Sequence, residues 1–317
     1  MPGASWQGFL LIAIVIATLF GNILCLYILV RLQRRLLKRP LYIFIFNICV
    51  ADIAVVLCSM IFKITDFFYQ DWLYGEGMCQ FVEYSQRALF RVNVLTHTSI
   101  AFERYFSVVF ALKPQVQISK PLARRILAAI WVLSFLLSIP LIFSFEVLKG
   151  GDERICRLVH LPWLWLDKLY NSFDLAVFFI IPLAVTLFLY GSIITSLNRR
   201  KRRTGDLGSI SATMNTIRAA IRGVRVSIIV LTAFLICWIP VIVKGFNRLV
   251  HRNANRDRKD ELYIVAMYLA FVNDAIVPIL YCLLDSNLAP SVWTIFYCFN
   301  RDGQSEETSD GNETINE

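Results

Sequence analysis

Seven stretches of this 317-residue sequence are apolar for long enough to cross a bilayer: 8–30, 41–65, 79–110, 123–145, 169–197, 224–249 and 262–284. An α-helix rises about 1.5 Å per residue, so roughly 20 apolar residues cover a hydrocarbon layer about 30 Å thick. That layer offers no water to backbone N–H and C=O groups, and a helix satisfies them within its own segment. With 57% hydrophobic residues and a mean hydropathy of +0.60, the chain is far more apolar than an ordinary globular domain. The expected fold is an all-α membrane protein, a bundle of seven transmembrane helices. No internal repeat of the kind found in transporter halves is visible.

Basic residues stay on the cytoplasmic side during insertion, so Lys and Arg in the short loops predict orientation. Arg31, Arg34, Arg35, Lys38 and Arg39 fill the first loop, and Lys113, Lys120, Arg124 and Arg125 flank the third. The fifth loop adds Arg199 to Arg203, whereas the second has Asp71 and Glu76. These loops put the amino terminus outside and, with an odd number of spans, the carboxyl terminus inside. The loop 248–261 dissents, carrying Arg248, Arg252, Arg256, Arg258 and Lys259 on the side that topology places outside. The net charge of +9 is thus mainly a topogenic signal that also attracts anionic inner-leaflet lipid, and it gives no ground for a nucleic-acid partner. The first residues lack the basic start of a cleavable signal, so the first span is expected to direct its own insertion. Of eight cysteines, Cys25, Cys49, Cys58, Cys237, Cys282 and Cys298 fall in spans or on the inner side. Cys79 and Cys156 face the oxidising side, either as one disulfide or as two free thiols.

Ionisable or amide groups at mid-membrane cost roughly 2.5–3.5 kcal/mol on insertion scales, so they face the bundle interior. Asn22, Asp52, Asn93, His97, Asn273 and Asp274 share one depth and are expected to form one polar network. Asp52 and Asp274 would repel unless a proton or a cation intervenes, which makes Asp52, Asn93, Asn273 and Asp274 a candidate sodium site. On the third span Glu83, Arg87 and Arg91 recur every four residues and share a face. Glu83 itself, Asp66 and Asp174 are available anions; the alternative is an acidic group on a ligand. Gln86 and Phe90 lie on an adjacent face that runs on to Asn93 and His97. Phe62, Trp238, Val241, Ile242, Tyr263, Met267 and Phe271 would meet that face if the helices close into a ring, although each singly is equally a packing residue. Pro182, Pro240 and Pro278 are expected to bend the fifth, sixth and seventh spans.

Glu103-Arg104-Tyr105 closes the third span, and every other span has its own marker: Gly21-Asn22, Ala51-Asp52, Trp131, Pro182 with Tyr190, Phe234 with Cys237-Trp238-Ile239-Pro240, and Pro278 with Tyr281. Trp72 and Gly75 precede Cys79. In this order the motifs resemble the rhodopsin-like (class A) G protein-coupled receptors over roughly 8–299. The resemblance implies a Cys79–Cys156 disulfide and a G protein switch of Glu103, Arg104, Tyr105, Tyr190 and Tyr281. It also implies an activation relay through Pro182, Phe234, Trp238, Pro240 and Pro278. The ligand pocket it implies uses Gln86, Arg87, Phe90, Arg91, Asp174, Trp238, Val241, Ile242, Tyr263, Met267 and Phe271. Partners would be an extracellular ligand, a heterotrimeric G protein and the lipids of the plasma membrane, with no cofactor beyond the sodium ion.

Departures from the family pattern narrow the ligand. Gln86 stands where aminergic receptors carry Asp, and Phe271 where visual pigments carry Lys; with Arg87 and Arg91 nearby, a peptide or an acidic small molecule is expected. Val277 replaces the Asn or Asp before the seventh-span proline, and Asn93 a Ser, both in the sodium site. Ala220 is not acidic, so Glu103 is expected to restrain Arg104, with some basal activity. Residues 1–7 form a short outer terminus, 8–284 the receptor bundle, 285–300 an amphipathic eighth helix with Cys298 available for palmitoylation, and 301–317 a disordered acidic tail. The rival classes are a seven-span transporter or channel relaying ions through Asp52, Asp274 and His97, and a membrane enzyme. The enzyme is disfavoured because no metal-ligand cluster or serine nucleophile motif is present.

Overall fold

The computed structural model describes residues 4–69, 71–111, 113–150, 153–158, 164–206, 211–250, 261–295 and 297. The first span is α1 (Ala4–Tyr27), ending in a π turn, Ile28–Leu32. The second is α2 (Pro40–Val55), a π turn and α3 (Ile61–Tyr69); the third is α4 (Gly75–Val109). The fourth, α5 (Lys120–Ser138), tightens into a 3-10 turn, Ile139–Ser144, and leads into a hairpin of β1 (Phe145–Gly150) and β2 (Glu153–Leu158). The fifth is α6 (Leu164–Leu175), a π turn (Ala176–Ile180) and α7 (Ile181–Asp206). The sixth and seventh are α8 (Ser211–Val250) and α9 (Glu261–Leu284).

The helices close into a bundle. α1 packs on α2 and α9, α9 on α8, and α8 on α6 and α7, while α4 touches α2, α5, α7 and α8 from the middle. Gly21 permits the close approach of α1 to α9: a Cβ there would lie 3.3 Å from Ile279 Cγ1 and Pro278 Cγ. The polarity is inverted relative to a water-soluble domain. Phe20, Ile23, Leu133, Leu136, Phe188, Ile236 and Ile239 are exposed on the outside, and Asn22, Asp52, Asn93, Asn273 and Asp274 are buried within.

Among the described residues, six helices are long and apolar enough to cross a membrane, and α4 is not one of them. Its position explains this. A central helix meets protein on most sides, so Glu83, Arg91 and Glu103 can be buried against partners instead of lipid. At 35 residues it is about 50 Å long, well beyond the hydrocarbon thickness. Pro240 and Pro278 lie inside their helices, as expected, but Pro182 does not interrupt an α-helix. It is the second residue of α7 and follows a π turn, so the lost backbone donor falls where the ladder has already changed pitch.

After α9 the chain turns through a polar elbow. The Tyr42 hydroxyl donates to Asp285, 3.1 Å from Oδ1, and accepts from Asn287 Nδ2 at 2.7 Å, while Asn287 N donates to Asp285 Oδ1 at 2.8 Å. Residues 289–295 are helical, with Leu288 and Val292 buried and Trp293 and Tyr297 exposed. Cys298, Phe296 and the tail lie outside the described residues.

Candidate functional site

At the end of the bundle that carries the amino terminus, called outer for the orientation expected from the loop charges, α4, α6, α8 and α9 leave a cavity of about 1060 Å³, counting its open mouth. Its walls mix both signs of charge: Glu83 and Asp174 against Arg87 and Lys244. Gln86, Asn171, Val241, Met267 and Ala270 fill in between, and Phe90, Phe179 and Trp238 form the floor. Gln86 is oriented by Ser59, whose hydroxyl donates to its Oε1 at 3.1 Å.

Three residues expected in this pocket sit elsewhere. Arg91 is 2% exposed and does not line the cavity. Its guanidinium donates to Asp174 Oδ1 at 2.5 Å, to the Tyr170 hydroxyl at 2.8 Å and to Ser138, and lies 4.8 Å from the Phe178 ring centre. It therefore ties α4 to α5 and α6 and is not offered to a ligand. Phe271 is packed with Leu11, Leu89 and Met60 in the core, and Ile242 lines a second, deeper crevice beside Pro182 and Phe234. The side chain of Tyr263 is outside the described residues.

The sequence pattern did not single out Lys63. Its ammonium meets Glu83 Oε1 at 2.5 Å, and both side chains are 7% exposed. A lysine near the outer end of an apolar span is easily taken for one that snorkels to water, and only the rotation of α3 turns it inward. Losing one member of a buried pair strands the other charge, at a cost of about 3–5 kcal/mol, whereas an apolar pair of similar volume is near neutral. Glu83→Gln is therefore expected to lower the apparent melting temperature of the purified protein, and Lys63→Met/Glu83→Met to recover most of the loss. Equal destabilisation by both variants would refute the pairing.

Against α4 packs the hairpin, with Val147 opposite Cys156, and Cys156 is joined to Cys79 by a disulfide. Arg154 clamps the same hairpin to the preceding loop: its backbone N donates to Asp71 Oδ1 at 2.6 Å and its guanidinium to Oδ2 at 2.7 Å. The Asp71 carboxylate raises the Arg154 pKa above its ordinary value, so this cation stays charged wherever Asp71 is ionised. Gly75 adopts φ +76°, a left-handed conformation, as the chain turns into α4, and its carbonyl accepts from Trp72 Nε1 at 2.7 Å.

Below the floor runs a column of rings. Phe90 and Trp238 have centroids 3.8 Å apart, Trp238 and Phe234 5.9 Å, and Phe234 and His97 5.1 Å. Beside it is the polar core. Asn93 Nδ2 donates to Asp52 Oδ1 at 2.7 Å, and Asn22 Nδ2 to the Asp274 carbonyl at 3.0 Å. Asp52 Oδ2, Asn93 Oδ1, Asn273 Oδ1 and Asn22 Oδ1 are buried and accept no hydrogen bond among the described residues. Unpartnered hard oxygens with two carboxylates nearby fit a small cation. Val277 is buried in an apolar cluster and contributes no ligand. Nearby, Asn47 joins three helices, donating to Thr96 at 3.1 Å and accepting from Trp131 Nε1 at 2.8 Å.

At the inner end Arg104 bonds Glu103 Oε2 at 2.5 Å, and Ser107 holds the other oxygen at 2.8 Å. A Cβ on Gly223 of α8 would come within 3.4 Å of Arg104 Nη1, so the inner end of α8 lies against the arginine. Tyr105 packs against the α7 cluster with Leu189 and Tyr190; Tyr281 is buried in the core between α1, α2 and α9.

The family description "7 transmembrane receptor (rhodopsin family)" matches residues 21–281. A QRFP-like peptide receptor of Branchiostoma floridae is 27% identical over 304 residues, covering 94% of this chain and 79% of that protein. The substance-K receptor of Canis lupus familiaris is 25% identical over 312 residues (94% and 77%), and the neuropeptide S receptor of Mus musculus 26% over 286 residues (86% and 75%). With its seven-helix bundle, its outer disulfide and a family match across nearly all of that bundle, the chain belongs to the rhodopsin family of seven-transmembrane receptors.

Proposed function

We propose that this protein sits in the plasma membrane with its amino terminus outside, binds an extracellular peptide in the cavity above Trp238, and activates a heterotrimeric G protein at its inner end. The observation that carries the reading is the continuity between the two ends. The cavity floor is Trp238 itself, the ring column leads inward to Phe234 and His97, and the same α8 backbone ends against Arg104. A ligand that prefers one arrangement of Trp238 shifts the population of α8 positions, and the outward position frees Arg104 for the transducer. Tyr190 and Tyr281 flank the path that Arg104 would take.

Glu83 and Asp174 face the cavity already paired with Lys63 and Arg91, while Arg87 and Lys244 line the same wall, so the cavity suits a peptide that presents an acidic group. The names of two relatives contain "peptide receptor" and "neuropeptide", which supports the same class. Screening a peptide library with a promiscuous G protein readout tests this. The expected hit is a peptide whose potency falls at least about ten-fold in Arg87→Gln and in Trp238→Ala, a change of about 1.4 kcal/mol. Activation only by neutral lipids or by amines would overturn it.

Sodium in the polar core is part of the same proposal. Asp52, Asn93, Asn273 and Asp274 would hold the ion, which would neutralise the two carboxylates when bound. The apparent melting temperature of the ligand-free receptor is expected to be higher in sodium chloride than in equimolar choline chloride, and Asp52→Asn to abolish the difference. A sodium response unchanged in Asp52→Asn would contradict the site.

A further inference from the structure

Beneath Trp238, α4, the π turn of the fifth span, α7 and α8 enclose a crevice of about 400 Å³, counting its open side. Phe179 and Trp238 belong to this space and to the cavity above it. The two spaces differ in chemistry. No charged side chain lines the crevice among the described residues; its walls are aromatic and aliphatic apart from three polar residues, His97, Thr98 and Thr186. Thr98 donates its hydroxyl proton to the Val94 carbonyl at 3.0 Å. The other two have no such outlet. His97, expected in the polar network of Asp52 and Asp274, lies instead against the Phe234 ring, and neither imidazole nitrogen has a hydrogen bond among the described residues. Thr186 is 4% exposed, and its hydroxyl has no partner among them either.

A polar group enclosed away from water without a partner bears its desolvation cost with no return, and native proteins rarely leave one so. Here two such groups line one crevice, from α4 and α7, helices that pack together. A neutral imidazole keeps one acceptor nitrogen, and a threonine hydroxyl can donate, so a single hydroxyl answers both: it donates to His97 and accepts from Thr186. We propose that this crevice is a second binding site, for a small membrane-soluble molecule that carries one hydroxyl on an apolar body, as an alkylphenol does. A water could bridge the two polar groups but would leave the rings and aliphatic walls without contacts, whereas an apolar body fills them. The π turn that brings Phe178 and Phe179 into the wall is a departure from α pitch of the kind that recurs at functional sites. A molecule held there would touch Trp238, Phe234 and Pro182 from below and bias their arrangement. That consequence rests on the relay proposed above; the binding does not.

Equilibrium dialysis of para-propylphenol and of its methyl ether, para-propylanisole, against the purified receptor in detergent, with empty micelles subtracted, tests this. The phenol is expected to bind saturably and at least about ten-fold more tightly than the ether, which cannot donate to His97. His97→Leu is expected to erase that preference. Its melting temperature should be no lower than that of wild type, because an apolar side chain replaces an unpartnered polar one. Thr186→Val is expected to weaken both compounds, since both accept from its hydroxyl. Leu183→Trp, which fills the crevice from α7 without touching either polar group, is expected to abolish binding of both and gives the reading if His97→Leu does not fold. Absence of saturable phenol binding, as when water alone occupies the crevice, would overturn the site. Equal affinity of phenol and ether, a preference for the phenol that survives in His97→Leu, or unchanged binding in Leu183→Trp would do the same.

Discussion

Arg104→Ala is expected to reduce nucleotide exchange on the G protein to the level of receptor-free membranes while leaving surface expression and peptide binding intact. The reason is positional. Arg104 is the only cation at the inner end of α4, and its guanidinium is held by an intramolecular partner, Glu103, in the closed bundle. In that state the inner end of α8 lies against it, as the close approach of Gly223 indicates. In the proposed outward position of α8 the guanidinium would be available to a partner, and alanine has nothing to offer. Glu103→Gln should act in the opposite sense. Without the carboxylate, the closed state loses a charge-assisted hydrogen bond worth about 1.5–3 kcal/mol, so basal exchange should rise roughly ten-fold or more. The pair is measured by basal exchange in matched amounts of receptor. Unchanged signalling in Arg104→Ala would remove the arginine from the mechanism.

A comparably large effect on stability is expected at Asp174. Arg91 is almost fully buried and, among the described residues, Asp174 is its single ion-pair partner. Asp174→Asn leaves a cation buried among Ser138, Tyr170 and Phe178 with no counter-charge, and should cost about 3–5 kcal/mol. The opposite truncation should cost less. The Asp174 side chain is 19% exposed and opens onto the cavity, so in Arg91→Met the remaining carboxylate keeps partial access to water. Thermal unfolding of the purified ligand-free variants should rank wild type above Arg91→Met, and Arg91→Met above Asp174→Asn. An Asp174→Asn protein within about 0.5 kcal/mol of wild type would refute the assignment.

Six of the spans are legible because membrane insertion reads the same quantity that a hydropathy sum does, the apolar length of a segment, whereas α4 falls short of that measure because its charged residues are buried against protein. The Cys79–Cys156 disulfide was legible as a short choice, since the loop charges assign only these two cysteines to the oxidising side. Glu103 as the partner of Arg104 was legible because adjacent residues at a helix end need no tertiary information. The pairing of Lys63 with Glu83, and the withdrawal of Arg91 from the cavity, were not. Each depends on the rotation of one helix about its axis relative to another, which spacing along a single helix cannot supply. The same holds for Tyr42 with Asp285 and Asn287, where 243 residues separate the first two. The π turn before Pro182 was hidden because a proline signals a lost hydrogen bond without stating which local pitch absorbs it.

The claim on which the rest depends is that a cavity at one end of this bundle controls a transducer at the other. Guanine-nucleotide exchange on purified heterotrimers, driven by the purified receptor in lipid discs with no ligand added, tests it. The account predicts basal exchange above empty discs for at least one heterotrimer class, raised by Glu103→Gln and removed by Arg104→Ala. Exchange indistinguishable from empty discs for Glu103→Gln with every heterotrimer class would contradict it.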